Sequence, residues 1–178
     1  MRLFVALSPT GEARAALTRD LAILRTACRR GNFSRPENLH VTLAFLGEIS
    51  EDRLPDVRAA MDERTGSGPF SVTTGPLSRF RGRDGDTLVV RINASKALSG
   101  LQRELSRSLT ERGFSLEDRP YRLHLTLSRR AQLGEGETME SISARLEPVT
   151  FPAERMTLFL SHRPNGVLTY TPLYSIEL

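Results

Sequence analysis

Leu39-His40-Val41-Thr42-Leu43-Ala44-Phe45-Leu46 and Leu123-His124-Leu125-Thr126-Leu127-Ser128 are the two stretches on which the reading of this chain turns. Each contains His-apolar-Thr-Leu, and together they use two of the three histidines in 178 residues. Both runs are apolar and β-prone, which predicts strands near 39–46 and 123–128. Successive strand side chains point to opposite faces, so His40 and Thr42 share one face while Val41 and Leu43 share the other. His124 and Thr126, over Leu125 and Leu127, repeat the arrangement. A single His-x-Thr is weak evidence, because a packed histidine on a strand is common; the same polar pair on the same face twice calls for one shared reason. The copies lie 84 positions apart (40 and 124), close to half the chain, which predicts an internal duplication with one motif strand per half. Side by side, such strands set two imidazoles across one cleft. One charged and one neutral imidazole can serve as acid and base at a single phosphoryl centre.

Outward from these strands, Arg2 to Leu7 is predicted as a first strand, and Thr10 as the cap of a helix from 12 to 28 closed by Gly31. Ala16, Leu17, Leu21, Leu24 and Ala27 give that helix its apolar stripe. Gly47 ends the first motif strand. Ser50 is placed as the cap of a second helix over 51–64, with Pro55 in its first turn. Strands at 70–74 and 86–92 flank Arg79-Phe80-Arg81-Gly82-Arg83, a segment readable as a solvated loop or as a nucleic-acid contact. Ser95 caps a helix over 96–111 with Leu98, Leu101, Leu105 and Leu109 inside, and Gly113 ends it. The second motif strand is reached through Arg119-Pro120-Tyr121-Arg122. A short helix at 137–146 and a hairpin of 155–160 with 167–177 about Pro164-Asn165-Gly166 complete the chain. Antiparallel strands with two helices in each half predict an α+β fold: a single bilobal domain, 1–178, of two pseudo-symmetric lobes of antiparallel sheet with outer helices and an active-site cleft between them.

Composition narrows the function. With 39% hydrophobic residues the chain can build a core, and a net charge of +4 favours an anionic partner without demanding nucleic acid. Cys28 is the only cysteine, which excludes an internal disulfide and fits a reducing cytoplasm. No apolar run reaches membrane-spanning length, and Met1 to Leu7 lacks the form of a signal peptide. His40 and His124 have no neighbours at zinc-like spacing, and no Gly-rich loop ends in Gly-Lys-Ser/Thr, so neither metal nor nucleotide cofactor is expected.

Arg35-Pro36-Glu37-Asn38-Leu39-His40 through Gly47, Arg2 to Leu7, and His124 to Arg129 together make the chain resemble the 2H phosphoesterases. Within them it is most similar to the RNA 2′,3′-cyclic phosphodiesterase (2′-5′ RNA ligase) family. The resemblance covers nearly the whole chain, with Phe33 where the family usually has Trp and Leu123 where it usually has Pro. It implies metal-independent opening of RNA 2′,3′-cyclic phosphate ends to 2′-phosphates, with His40 as proton donor and His124 as proton acceptor. The two motifs by themselves are locally equivalent and do not order the pair. Thr42 and Thr126 are suited to donate to the non-bridging phosphate oxygens, where charge builds in the transition state. Family positions five residues after each histidine fall on Phe45, against a base, and Arg129, as a phosphate clamp. Strict alternation puts both on the wrong face, so each strand must bend for them to contribute. His162 is expected at a rim and outside the chemistry.

The expected partner is therefore an RNA or oligonucleotide with a 2′,3′-cyclic phosphate end, met by a cytoplasmic monomer with no membrane association. Two alternatives stand beside it. One is a 2H enzyme acting on a small cyclic nucleotide such as ADP-ribose 1″,2″-cyclic phosphate; the other is an RNA-binding module without turnover.

Overall fold

The computed structural model describes residues 1–116 and 121–178, and among these it contains nine strands and four α-helices. In chain order they are β1 (Arg2–Leu7), α1 (Gly11–Ala27), β2 (Cys28–Phe33), β3 (Val41–Glu48), α2 (Leu54–Asp62), β4 (Phe70–Phe80), β5 (Asp86–Ile92), α3 (Lys96–Glu111), β6 (His124–Leu133), α4 (Met139–Ser143), β7 (Thr150–Ala153), β8 (Arg155–His162) and β9 (Thr169–Glu177). The strands pair antiparallel in the order β7-β4-β5-β6-β3-β1-β8-β9, and β2 also pairs with β6. Two four-strand sets, β3-β1-β8-β9 and β6-β5-β4-β7, thus meet where β3 touches β6. That seam is a single register pair, Val41 opposite Leu125, again 84 positions apart. Helix α1 leads from β1 toward β3 in one lobe as α3 leads from β5 to β6 in the other. The fold is α+β with two lobes.

Burial follows the apolar periodicity. Leu17, Leu21, Leu24 and Ala27 of α1 are buried, as are Leu98, Leu101, Leu105 and Leu109 of α3. Each such leucine contributes roughly 1.5–3 kcal/mol over an exposed one. Helix α3 starts where Ser95 Oγ accepts the Leu98 N–H at 3.1 Å. Val41, Leu43, Leu125 and Leu127 are fully buried, so both motif strands send their apolar faces into one core that runs through both lobes.

Several elements depart from expectation. Helix α1 ends at Ala27, and Gly31 does not close it; Cys28 is already extended, at φ −111° and ψ 133°. The residues that follow form β2, whose Arg-Arg-Gly-Asn composition is a poor strand sequence and is overridden by pairing with β6. There Gly31 serves close approach, since a Cβ on it would lie 2.7 Å from Ser128 Oγ. Thr10 and Ser50 stand at N-caps without a side-chain capping bond. The helix at 51–64 is a 3-10 turn, Glu51–Arg53, followed by α2, with Pro55 in its first turn. Gly47 does not end β3; it sits at φ +71° inside the strand. Strand β4 runs on to Phe80, so Arg79 and Phe80 belong to a strand. The helix at 137–146 contracts to α4, where Thr138 Oγ1 accepts the Ser141 N–H and Ser141 Oγ accepts the Thr138 N–H, both at 3.0 Å. Strand β7 is an element the periodicity does not announce, and its Pro152 is tolerated because the strand lies at the sheet edge. Arg119 and Pro120 of the second lead-in lie outside the described residues.

Candidate active site

Antiparallel pairing of Val41 with Leu125 sets His40 across from Thr126 and Thr42 across from His124. The four side chains occupy alternating corners, the histidines on one diagonal and the threonines on the other. All four are partly buried, while Val41, Leu43, Leu125 and Leu127 between them are fully buried.

Phe45 and Arg129 reach this face because both strands bulge. On β3 the register shifts between the Ala6–Thr42 and Val5–Ala44 pairs. On β6 it shifts between the Val89–Thr126 and Leu88–Ser128 pairs. The extra residues are Leu43 and Leu127, once more 84 positions apart. Each bulge reverses the alternation, so Ala44 and Ser128 are buried while Phe45 and Arg129 are exposed. Strict alternation therefore fails, and the bend on which a contribution from these two residues depends is present in both strands. Because the strands run in opposite directions, the reach is crosswise. Arg129 lines a pocket of about 330 Å³ with His40, Thr126, Asn38, Arg163 and Tyr170, whereas Phe45 lies toward the His124 side.

The imidazoles are oriented alike. His40 Nδ1 is 2.7 Å from the Asn38 carbonyl oxygen, and His124 Nδ1 is 2.7 Å from that of Arg122. A carbonyl only accepts, so each Nδ1 carries its hydrogen and donates it, and each neutral ring offers Nε2 as its basic nitrogen. Their surroundings differ. His40 packs against Phe4, with ring centroids 4.7 Å apart, and edge-on to Tyr170 at 5.1 Å. Burial pushes its pKa down to about 4, helped by the charges of Arg129 and His124 and opposed by the Asn38 carbonyl. His124 meets Phe80 edge-on, with ring centroids 5.2 Å apart. His162 lies elsewhere, hydrogen-bonded to Thr171 Oγ1 at 2.8 Å across the β8–β9 hairpin.

Side chains from other elements hold the motif backbones. Ser34 Oγ donates to the Thr126 carbonyl at 2.7 Å, the Tyr121 hydroxyl donates to the Thr42 carbonyl, and Gln102 Nε2 of α3 donates to that of Leu43 at 3.3 Å. Asn38 Nδ2 donates to the Leu168 carbonyl at 3.0 Å, tying the lead-in of the first histidine to the segment before β9. Sequence reasoning missed Phe4, Tyr170, Tyr121 and Gln102, which are single polar or aromatic residues in ordinary strand, loop or helix contexts. Tyr170 is buried enough that its hydroxyl pKa is raised. Of the Arg79–Arg83 segment, Arg79 forms an ion pair with Asp86 at 3.2 Å and Phe80 covers His124. Among the described residues no three His, Cys, Asp or Glu side chains gather as a metal-binding group, and no helix is long and apolar enough to cross a membrane.

Comparison with known proteins bears on this geometry. Residues 12–165 match the family model of the 2′-5′ RNA ligase superfamily. A Bacillus subtilis protein named RNA 2′,3′-cyclic phosphodiesterase is 29% identical over 145 residues, covering 80% of this chain and 78% of that one. A protein of the same name from Geobacillus stearothermophilus is 29% identical over 131 residues; the match covers 72% of this chain but 42% of its relative, so the chain spans well under half of that protein. The crystal structure of TT0787 from Thermus thermophilus superposes with a TM-score of 0.81 at 27% identity, covering 100% of this chain and 98% of that one.

Proposed function

Because the chain belongs to the 2′-5′ RNA ligase superfamily, we propose that it is an RNA 2′,3′-cyclic phosphodiesterase, opening such ends to 2′-phosphates without a metal. The observation that carries this reading is the crossed square of His40, Thr126, His124 and Thr42 across the β3–β6 seam. In-line displacement needs attacking and leaving oxygens on opposite sides of phosphorus, and a diagonal pair of imidazoles flanks a phosphate in that way. His124 Nε2 takes the proton of the attacking water, the bond from phosphorus to the 3′-oxygen breaks, and His40 Nε2 gives that oxygen its proton. Thr42 and Thr126 donate to the non-bridging oxygens, Arg129 clamps the phosphate beside His40, and Phe45 packs against a base. Run backwards, with a 5′-hydroxyl in place of water, the same geometry forms a 2′-5′ linkage.

The donor role of His40 carries a condition. Its pKa of about 4 leaves it neutral at pH 7. A phosphate anion against the ring favours its charged form directly, opposing the burial that is the main cause of the low pKa, and also offsets the lesser effect of Arg129, so His40 takes up its proton as substrate binds. The protein works in the cytoplasm as one bilobal domain, a reading supported by the lone buried Cys28 and by the recurring 84-residue offset. The test is phosphorus NMR on a 2′,3′-cyclic-ended oligonucleotide incubated with the protein in EDTA. The cyclic signal should give way to that of a 2′-monoester. A persistent cyclic signal that disappears only after a divalent metal is added would overturn the proposal.

A further inference from the structure

Beyond the crossed square, aromatic rings stay exposed along one side of the cleft: Phe45 at 37%, Phe80 at 45% and Tyr121 at 41%. Phe80 and Tyr121 line a pocket of about 580 Å³ beside His124, together with Arg91, Gln102, Arg103 and Arg122, and among the described residues none of its lining is acidic. Arg91 stands opposite His124 in the β5–β6 ladder and so shares its face. Its guanidinium is held by the Ser78 hydroxyl at 3.3 Å, and Arg103 projects from the exposed side of α3. Among the described residues neither arginine pairs with a carboxylate, unlike Arg79 with Asp86 or Arg107 with Glu111. Exposed rings interleaved with uncompensated cations are poorly explained by solvation alone. They are the chemistry that binds single-stranded nucleic acid: rings stack on bases of any identity and arginines hold the phosphodiesters. The volume suits a ligand of nucleotide size.

Resting on the function proposed above, we propose that this groove seats the nucleotide on the 5′ side of the cyclic end. Phe80 stacks its base, and Arg91 and Arg103 hold the phosphodiester that joins it to the terminal nucleotide. Phe80 meets His124 edge-on with centroids 5.2 Å apart, so a base stacked on it lies beside a phosphate held at the histidines; with the terminal base against Phe45, this base is the next one in the chain. The preferred substrate is then a single-stranded RNA end of two or more nucleotides, and cyclic mononucleotides are poor substitutes.

Binding tests the assignment independently of turnover. A labelled single-stranded RNA trinucleotide ending in a 2′-phosphate is titrated by fluorescence anisotropy, with the 2′-phosphate mononucleotide as competitor. The trinucleotide should bind more tightly than the mononucleotide by roughly 5- to 100-fold, the gain expected from one stacked base and its phosphate contacts. Phe80→Leu, which keeps an apolar contact with His124 but loses the ring face, should remove most of that gain, and Phe80→Trp should retain it. Arg103→Gln should flatten the dependence of log Kd on log salt by about 0.7, one single-strand phosphate contact. Equal affinity for the two ligands, or Phe80→Leu and Arg103→Gln variants that bind the trinucleotide like the unmodified protein, would overturn the assignment. If this binding pattern holds while no cyclic end is opened, the groove stands and the function proposed above falls.

Discussion

At the scale of the residue, two imidazoles with identical backbone anchors differ in what surrounds them. Phe4, Tyr170 and Arg129 act on His40, whereas the ring against His124 is Phe80, and Arg91 stands opposite it in the ladder. The sequence presents the two motifs as interchangeable, because the packing that distinguishes them comes from β1 and β9, far along the chain. His40 titrates at about 4 when folded and near 6.5 when unfolded. Between those values the unfolded chain binds a proton that the native state does not, so this group lowers stability as pH falls from 6.5 toward 4 and has no effect above that window. In a urea series from pH 8 to 4.5, His40→Gln should therefore lose less stability on acidification than the unmodified protein; equal loss would contradict the assigned shift. Inorganic phosphate should move the ring-proton titration of His40 upward from about 4, and a midpoint indifferent to phosphate would remove the argument for its donor role. Thr42→Ala and Thr126→Ala should each lower kcat by roughly 10²- to 10³-fold with little change in melting temperature, as expected for donors to the developing charge.

At the scale of the element, periodicity carried the long pieces and failed where pairing overrides composition. The stripes of α1 and α3 and the alternation around each motif were legible, since apolar spacing alone decides which face is buried. The β2 and β7 strands were not, because Arg, Gly, Asn and Pro become extended there through partners distant in sequence. The paired bulges at Leu43 and Leu127 were not legible either: a bulge is set by register against β1 and β5, and it alone brings Phe45 and Arg129 to the cleft side. One flaw in the α1 stripe yields a prediction. Asp20 is 6% exposed, and burial lifts its pKa from 3.8 to about 6, with Glu147 adding to the rise and Arg19 opposing it. The folded protein therefore prefers the protonated form, and stability drains as pH rises from 3.8 through 6. Asp20→Asn should stabilise by about 1–2 kcal/mol at pH 8 and by almost nothing at pH 3.5, read from denaturant midpoints. An equal effect at both values would show that charge burial is not the cause.

At the scale of the whole molecule, the proposed function rests on a seam. The 84-residue spacing predicts two similar strands, but not that they would meet at a single register pair with the histidines on a diagonal. Nor does spacing reveal that each motif sends its fifth residue into the other's half of the cleft. Neither half holds a complete site, so the two histidines should behave as one catalytic unit, and groups that act as a unit lose activity non-additively. The most direct test is the rate of ring opening of a 2′,3′-cyclic-ended RNA in EDTA by His40→Ala, His124→Ala and the double variant. Each single change should cost roughly 10²- to 10⁴-fold, and the double variant little more than the worse of the two. A single variant near the unmodified rate, or losses that multiply in the double variant, would contradict the account.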